Sequence, residues 1–272
     1  MAEVLSFLQQ QAQADLLPWT SQTEAAKRFN LSIAAVEEIA LENALLPARY
    51  QRNRNMLSCK QQLELFRSTV AVVGCGGLGG YILEGLARLG VGRIIAIDPD
   101  VFEEHNLNRQ LLCDLDSLGQ PKTRTAAQRI LKINPAVEVT PHQKAFGKEN
   151  GASLLKGARV VVDALDSVTV RLELAQTCEE LYIPLVHGAI AGWYGHVTTI
   201  FPGDKTLENI YGQQSTDRGV EKELGNPSFT PALVASIQTT EVCKVLLDQG
   251  SPLRQRILSI DLKDMEFEEL AL

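Results

Sequence analysis

Val70-Ala71-Val72-Val73-Gly74-Cys75-Gly76-Gly77-Leu78-Gly79 is the stretch on which the reading of this chain turns. Four apolar residues running into glycines read as a buried strand, and the glycines satisfy G-x-G-x-x-G between that strand and a helix expected over 79–89. Glycine lets the chain turn tightly and lets phosphates approach a helix N-terminus, where free N–H groups and the helix dipole favour anions. Asp98 closes the next strand, 93–98, at the place where a carboxylate can bind ribose hydroxyls. Gly74, Gly76, Gly77, Gly79 and Asp98 are therefore nucleotide-binding candidates. On the loop alone a nicotinamide- or flavin-dependent oxidoreductase is the default, and the loop does not choose between ATP and NAD.

Outward from this loop, strands alternate with helices. Strands are expected at 137–140, 159–163 and from 184, and helices at 122–133, stopped by Asn134-Pro135, and at 169–181. That alternation predicts an α/β fold with a Rossmann-like, mostly parallel sheet and helices on both faces. Beyond Gly188 come a strand at 195–201, a long segment over 202–230 with few apolar residues, a helix over 231–249 and two strands, 257–262 and 266–270, expected to be antiparallel. Residues 1–47 read as a short N-terminal helical arm with helices near 23–30 and 33–42, Ser32 capping the second and Pro47 closing the unit. The arm has the outline of a helix-turn-helix. Its second helix carries Glu37, Glu38 and Glu42 and no Lys or Arg, which phosphates would repel, so no DNA partner is expected.

The 272 residues are 45% hydrophobic, enough for one large domain plus a small appendage, and the net charge of −7 gives no support to a nucleic-acid partner. No apolar run reaches the roughly 20 residues that cross a bilayer, and the N-terminus lacks the basic start of a secretory signal. The 5 cysteines are scattered and form no C-x-x-C, so a reducing cytoplasm is expected, with neither a disulfide framework nor thiolate zinc.

A polar constellation follows the glycine loop: Asp98-Pro-Asp100, Asn106-Leu-Asn108-Arg109-Gln110, Gly119-Gln-Pro-Lys122 and Asp163-Ala-Leu-Asp166-Ser167. Open parallel sheets bind ligands at the carboxyl ends of their strands, so these loops converge on one side. Such a set suits attack of a carboxylate on the α-phosphate of ATP. Arg109 and Lys122 would offset the gathering negative charge, and Asp166 would hold Mg²⁺ beside the triphosphate. No side-chain nucleophile is needed, since positioning and electrostatics can supply the rate.

From about Arg49 to Leu270 the chain resembles the MoeB/ThiF/HesA family, bacterial relatives of ubiquitin-activating enzymes. The matching text is Arg49-Tyr-Gln-Arg52, Val73-Gly-Cys-Gly-Gly-Leu-Gly79, Asp98-Pro-Asp100, Asn106 to Gln110, Gly119 to Lys122, Ile133-Asn-Pro135 and Asp163 to Asp166. The resemblance implies that 48–272 is an ATP-binding adenylyltransferase domain with a crossover loop at about 202–230. It implies ATP- and Mg²⁺-dependent adenylation of the C-terminal glycine of a small ubiquitin-like sulfur carrier ending in Gly-Gly, as in molybdopterin- or thiamine-type biosynthesis. Adenylation of another carboxylate, a peptide terminus or one on modified tRNA, is the alternative. Under the resemblance Gly77 and neighbouring amides face ATP, Asp98 binds the ribose, Asn106 and Arg109 contact phosphates, Lys122 the triphosphate, and Asp166 Mg²⁺. Asn108, Gln110 and Ser167 are further candidates. Arg52 matches an arginine that reaches into a partner subunit's site, so a homodimer is implied.

This chain departs from many relatives in lacking two C-x-x-C pairs, so no zinc is expected. It also lacks a cysteine across 200–230, so the reaction is expected to stop at the acyl-adenylate. Cys75 and Cys113 lie near the site in sequence but have no identifiable base. His187 is expected either to orient the incoming carboxylate, to pair with Asp166, or simply to fill a strand end. Trp193 and Tyr194 are expected to pack.

Overall fold

The computed structural model describes residues 2–211 and 224–272. In chain order the strands are β1 (Leu16–Leu17), β2 (Leu46–Pro47), β3 (Thr69–Val73), β4 (Arg93–Ile97), β5 (Glu138–His142), β6 (Val160–Asp163), β7 (Leu185–Ala191), β8 (Tyr194–Ile200), β9 (Arg256–Asp261) and β10 (Glu266–Ala271). The helices are α1 (Ala2–Gln11), α2 (Trp19–Phe29), α3 (Ile33–Glu42), α4 (Cys59–Arg67), α5 (Gly77–Leu89), α6 (Lys122–Ile133), α7 (Lys148–Leu154), α8 (Val168–Glu180), α9 (Thr206–Tyr211) and α10 (Phe229–Leu247).

The main sheet has the order β10-β9-β8-β7-β6-β3-β4-β5. From β5 to β7 every pairing is parallel, and β7, β8, β9 and β10 pair antiparallel. Strand order reverses between β3 and β6, which opens a crevice at their carboxyl ends. The strands beside it are continuous apolar runs because both faces are covered. One core, containing Val70, Val72, Ile82, Leu86, Val162 and Val242, lies on the face of α5 and α10. The other, containing Ala71, Val73, Val161, Leu174 and Leu207, lies on the face of α8 and α9. Each strand thus sends alternate residues to opposite cores.

The arm is three helices around their own cluster of Phe7, Leu8, Leu17, Ala25 and Val36, with β1 and β2 paired in parallel. The Ser32 hydroxyl accepts from the Ala35 N–H at 3.1 Å, the expected cap. The acidic residues of α3 face the body of the protein. Glu37 is fully buried and pairs with Arg49, while Glu38 and Glu42 pair with Arg67.

Among the described residues, besides α1 in the arm, three helices lie where none is expected from the sequence reading. Two are α4, opened by a Ser58/Gln61 capping box, and α7, a short helix after Gly147. The third is α9, inside the segment read as loop: Leu207 and Tyr211 are buried at i, i+4 spacing, a pattern too short to stand out by periodicity. The remainder of that segment up to 223 lies outside the described residues. Among the described residues no helix is long and apolar enough to cross a membrane.

Candidate active site

The glycine loop forms the floor of a cleft of about 630 Å³, within the size of small-ligand sites. Gly74 sits at φ +95°, and a Cβ there would lie 2.4 Å from the Ala164 carbonyl oxygen. A Cβ on Gly79 would lie 1.8 Å from the Gly74 oxygen. These two glycines are required by backbone packing. Gly76 and Gly77 instead present their backbone to the cleft at the start of α5, where the first N–H groups have no acceptor within the helix. Asp98 is buried behind the loop. Its Oδ2 accepts from the Cys75 N–H at 2.7 Å and its Oδ1 from the Asp100 N–H at 2.8 Å. Carboxylate oxygens have further lone pairs, so capacity for ribose hydroxyls remains. Burial raises the Asp98 pKa, with Lys122 acting against the rise.

The cations come from the segment after β4. Lys122 is the first residue of α6, is buried, and donates from Nζ to Asp100 Oδ2 at 2.9 Å. Arg109 follows the 3-10 turn Glu104–Asn106, and its Nη1 donates to the His105 oxygen and to Asn108 Oδ1. Burial lowers the Arg109 pKa, and the nearby Asp166 carboxylate opposes that shift. Asp166 is exposed on the turn after β6. Ser167 next to it caps α8, accepting from the Val170 N–H at 3.3 Å.

Nine of the residues singled out from the sequence line this one cleft: Gly74, Gly76, Gly77, Asp98, Arg109, Gln110, Lys122, Asp166 and Ser167. Gln110 is buried, and among the described residues its Oε1 has no hydrogen-bond partner. Gly79, Asn106, Asn108 and Arg52 are not in the lining. Asn106 is buried and holds the turn by accepting the Glu103 N–H at 3.0 Å, and Asn108 donates to the Asn226 oxygen at 3.0 Å. Arg52 is exposed on the 3-10 helix Ala48–Asn53.

Three charged cleft residues escaped the sequence reading as participants: Asp100 as the partner of Lys122, Lys144 after β5, and Arg171 on α8. Beneath the 163–167 turn lies a buried array. His187 Nδ1 is 2.6 Å from Asp163 Oδ2, both fully buried, so His187 pairs with Asp163 and not Asp166. His187 Nε2 lies 3.1 Å from the Tyr211 hydroxyl and 3.1 Å from His196 Nε2. Burial drives the His187 pKa down, and that of His196 to about 3, so both are neutral near pH 7. Trp193 packs against Phe229 with ring centres 4.6 Å apart and planes tilted by 42°, while staying half-exposed.

A glycine turn at the switch point of a doubly wound sheet, with Arg109, Lys122, Lys144, Arg171 and an exposed carboxylate in the same cleft, has the features of a nucleotide site. Residues 50–272 match the ThiF family, and the chain belongs to it. It is 38% identical over 226 residues to the SAMP-activating enzyme E1 of Haloferax volcanii, covering 81% of this chain and 83% of that protein. It is 33% identical to the sulfur carrier protein adenylyltransferase of Thermus thermophilus, covering 77% and 80%. It is 32% identical to the molybdopterin-synthase adenylyltransferase of Salmonella typhimurium, covering 75% and 82%. The fold matches a crystal structure of E. coli MccB with MccA at a TM-score of 0.68 and 20% identity, covering 92% of this chain and 82% of that one. The protein is an adenylyltransferase of the MoeB/ThiF type.

Proposed function

We propose that this adenylyltransferase uses ATP and Mg²⁺ to activate the C-terminal carboxylate of a small ubiquitin-like sulfur carrier ending in Gly-Gly. The carrying observation is that the glycine turn, Arg109, Lys122 and Asp166 line one cleft. A carboxylate oxygen of the carrier attacks the α-phosphorus, the bond to the bridging oxygen breaks, and pyrophosphate leaves with its electron pair. Arg109 and Lys122 stabilise the charge that builds on the phosphates, and the amides of Gly76 and Gly77 orient them. Asp98 takes the ribose. The exposed Asp166 carboxylate fits Mg²⁺, which needs only one or two carboxylates when phosphates and water complete its shell. Bound there, the ion would neutralise triphosphate charge. The names of the Haloferax, Thermus and Salmonella relatives support a protein carrier as the substrate class.

The reaction stops at the acyl-adenylate in this reading. All five cysteines have thiol pKa values raised by burial, Cys243 to about 11, which leaves little thiolate at neutral pH. Arg52 is exposed and outside its own chain's cleft, which suits delivery to the cleft of a second copy in a homodimer. The test is ATP–pyrophosphate exchange with candidate carriers. Exchange should require ATP, Mg²⁺ and a carrier ending in Gly-Gly. Exchange that proceeds equally with a carrier lacking its terminal glycines would reject the substrate assignment.

A further inference from the structure

The Leu165 peptide, one residue before Asp166, is held on both sides by buried charge. Its N–H donates to Asp163 Oδ1 at 2.9 Å, and its carbonyl accepts from Arg171 Nη2. Asp163 and Arg171 also face each other, with Nε 3.7 Å from Oδ2. The Asp163 carbonyl is fixed in turn by Gln238 Nε2 at 2.8 Å, from α10 on the opposite face of the sheet. The turn is thus tied by a carboxylate, a guanidinium and a carboxamide at once, whereas unsupported loops commonly move.

The contacts of the array behind the clamp are compatible with neutral histidine rings. A carboxylate only accepts, so His187 carries its proton on Nδ1 and its Nε2 is the acceptor. His187 Nε2 can then accept from the Tyr211 hydroxyl or from His196 Nε2, each 3.1 Å away, and the Tyr211 oxygen accepts from Arg171 Nη1 at 3.3 Å. In this state Asp163 is the one carboxylate and Arg171 the one cation of the array, so burial of the set leaves no net charge uncompensated. Tyr211 is the last residue of α9, so the array joins α9 to the cleft turn.

We propose that Asp163 and Arg171 form a positioning clamp on the Leu165 peptide that fixes the Asp166 carboxylate in the cleft, with His187, Tyr211 and His196 holding the clamp rigid from behind. The proposal rests on the reading of Asp166 as the Mg²⁺ ligand. It gives the buried histidines a role that involves no contact with substrate. Groups that orient a metal ligand typically change metal affinity or activity 10- to 100-fold when removed, and this sets the expected scale.

The experiment is titration of ATP binding against Mg²⁺ by calorimetry on the full chain, which needs no carrier protein. Arg171→Lys keeps the charge but cannot span Leu165 and Tyr211 together. It should raise the Mg²⁺ concentration for half-maximal enhancement of ATP binding about tenfold. Tyr211→Phe removes one hydroxyl and should raise it roughly threefold, and it decides the matter if the arginine variant fails to fold. In an Asp166→Asn background neither change should shift the residual dependence, since their effect runs through Asp166. Hydrogen exchange at 164–168 should quicken in both single variants. A wild-type Mg²⁺ requirement in Tyr211→Phe and Arg171→Lys, or a full shift that persists with Asp166→Asn, overturns the clamp. Wild-type protein that binds ATP with Mg²⁺ yet adenylates no Gly-Gly carrier defeats the substrate reading alone.

Discussion

Two places in this molecule are built from the same residue types and do different work. At the joint between arm and body, Glu37, Arg49, Tyr50, Asn134 and Gln22 meet. Arg49 pairs with Glu37 and also donates to Asn134 Oδ1 at 3.1 Å and Gln22 Oε1 at 2.8 Å. Tyr50 donates to Glu37 Oε1 at 2.7 Å and accepts from Asn134 at 2.7 Å. Donors and acceptors there are matched by the protein itself. In the cleft, the Asp166 carboxylate is exposed, Gln110 Oε1 has no partner among the described residues, and Arg109 leans on a carbonyl and an amide oxygen in place of a carboxylate. A charge satisfied by its own chain stabilises the fold, and one left open is available to a ligand.

The contrast can be broken most forcefully at Lys122, which is paired by its own chain but only with Asp100, a carboxylate itself exposed to the cleft. Lys122→Ala should cut pyrophosphate exchange by about 10²- to 10³-fold through loss of phosphate stabilisation, with the urea midpoint little changed. A variant that exchanges normally would move Lys122 to the structural class. Glu37→Ala should do the reverse. It strands Arg49 and should cost about 3 kcal/mol in urea unfolding, while the folded fraction keeps its exchange rate. A variant as stable as wild type would show that the joint carries no weight.

The buried histidines sharpen the picture through pH. Their folded pKa values are depressed, so below about 6.5 the unfolded chain takes up protons that the folded chain refuses. Stability should therefore fall as pH drops below about 6.5, by up to about 1.4 kcal/mol per pH unit from His196, whose folded value is about 3, with His187 acting in the same direction. Thermal unfolding across that range checks it, and His196→Gln should flatten the slope. The smallest effect is expected one residue from Glu37. Glu38 pairs with Arg67 in the open, so Glu38→Gln should change stability by no more than about 0.5 kcal/mol. A large loss there would mean that exposure is a poor guide to which charges matter.

The parallel half of the sheet was legible because buried strands are apolar throughout and glycines mark the turn after β3. The cleft was legible because strand ends in such sheets share one side, which gathers Asp98, Lys122 and Asp166 from distant positions. The array was not. Asp163 and His187 meet because β6 and β7 are neighbours in parallel register, with Asp163 opposite His187. Strand order is a long-range fact that residue spacing does not carry. Tyr211 was hidden for a second reason, since α9 is too short to show a helical period. The burial of Glu37 is not legible either, because its partner, Arg49, lies beyond the turn and Pro47. The sequence around Glu37 records the charge and says nothing of the burial.

The central claim is that the cleft is charged and shaped for the triphosphate of ATP. Calorimetric titration of the whole protein with ATP plus Mg²⁺, and separately with NAD, tests it most directly. The account predicts binding of ATP that weakens on removal of Mg²⁺ and is lost in Lys122→Ala, with no binding of NAD. Tight NAD binding with no ATP binding would contradict it.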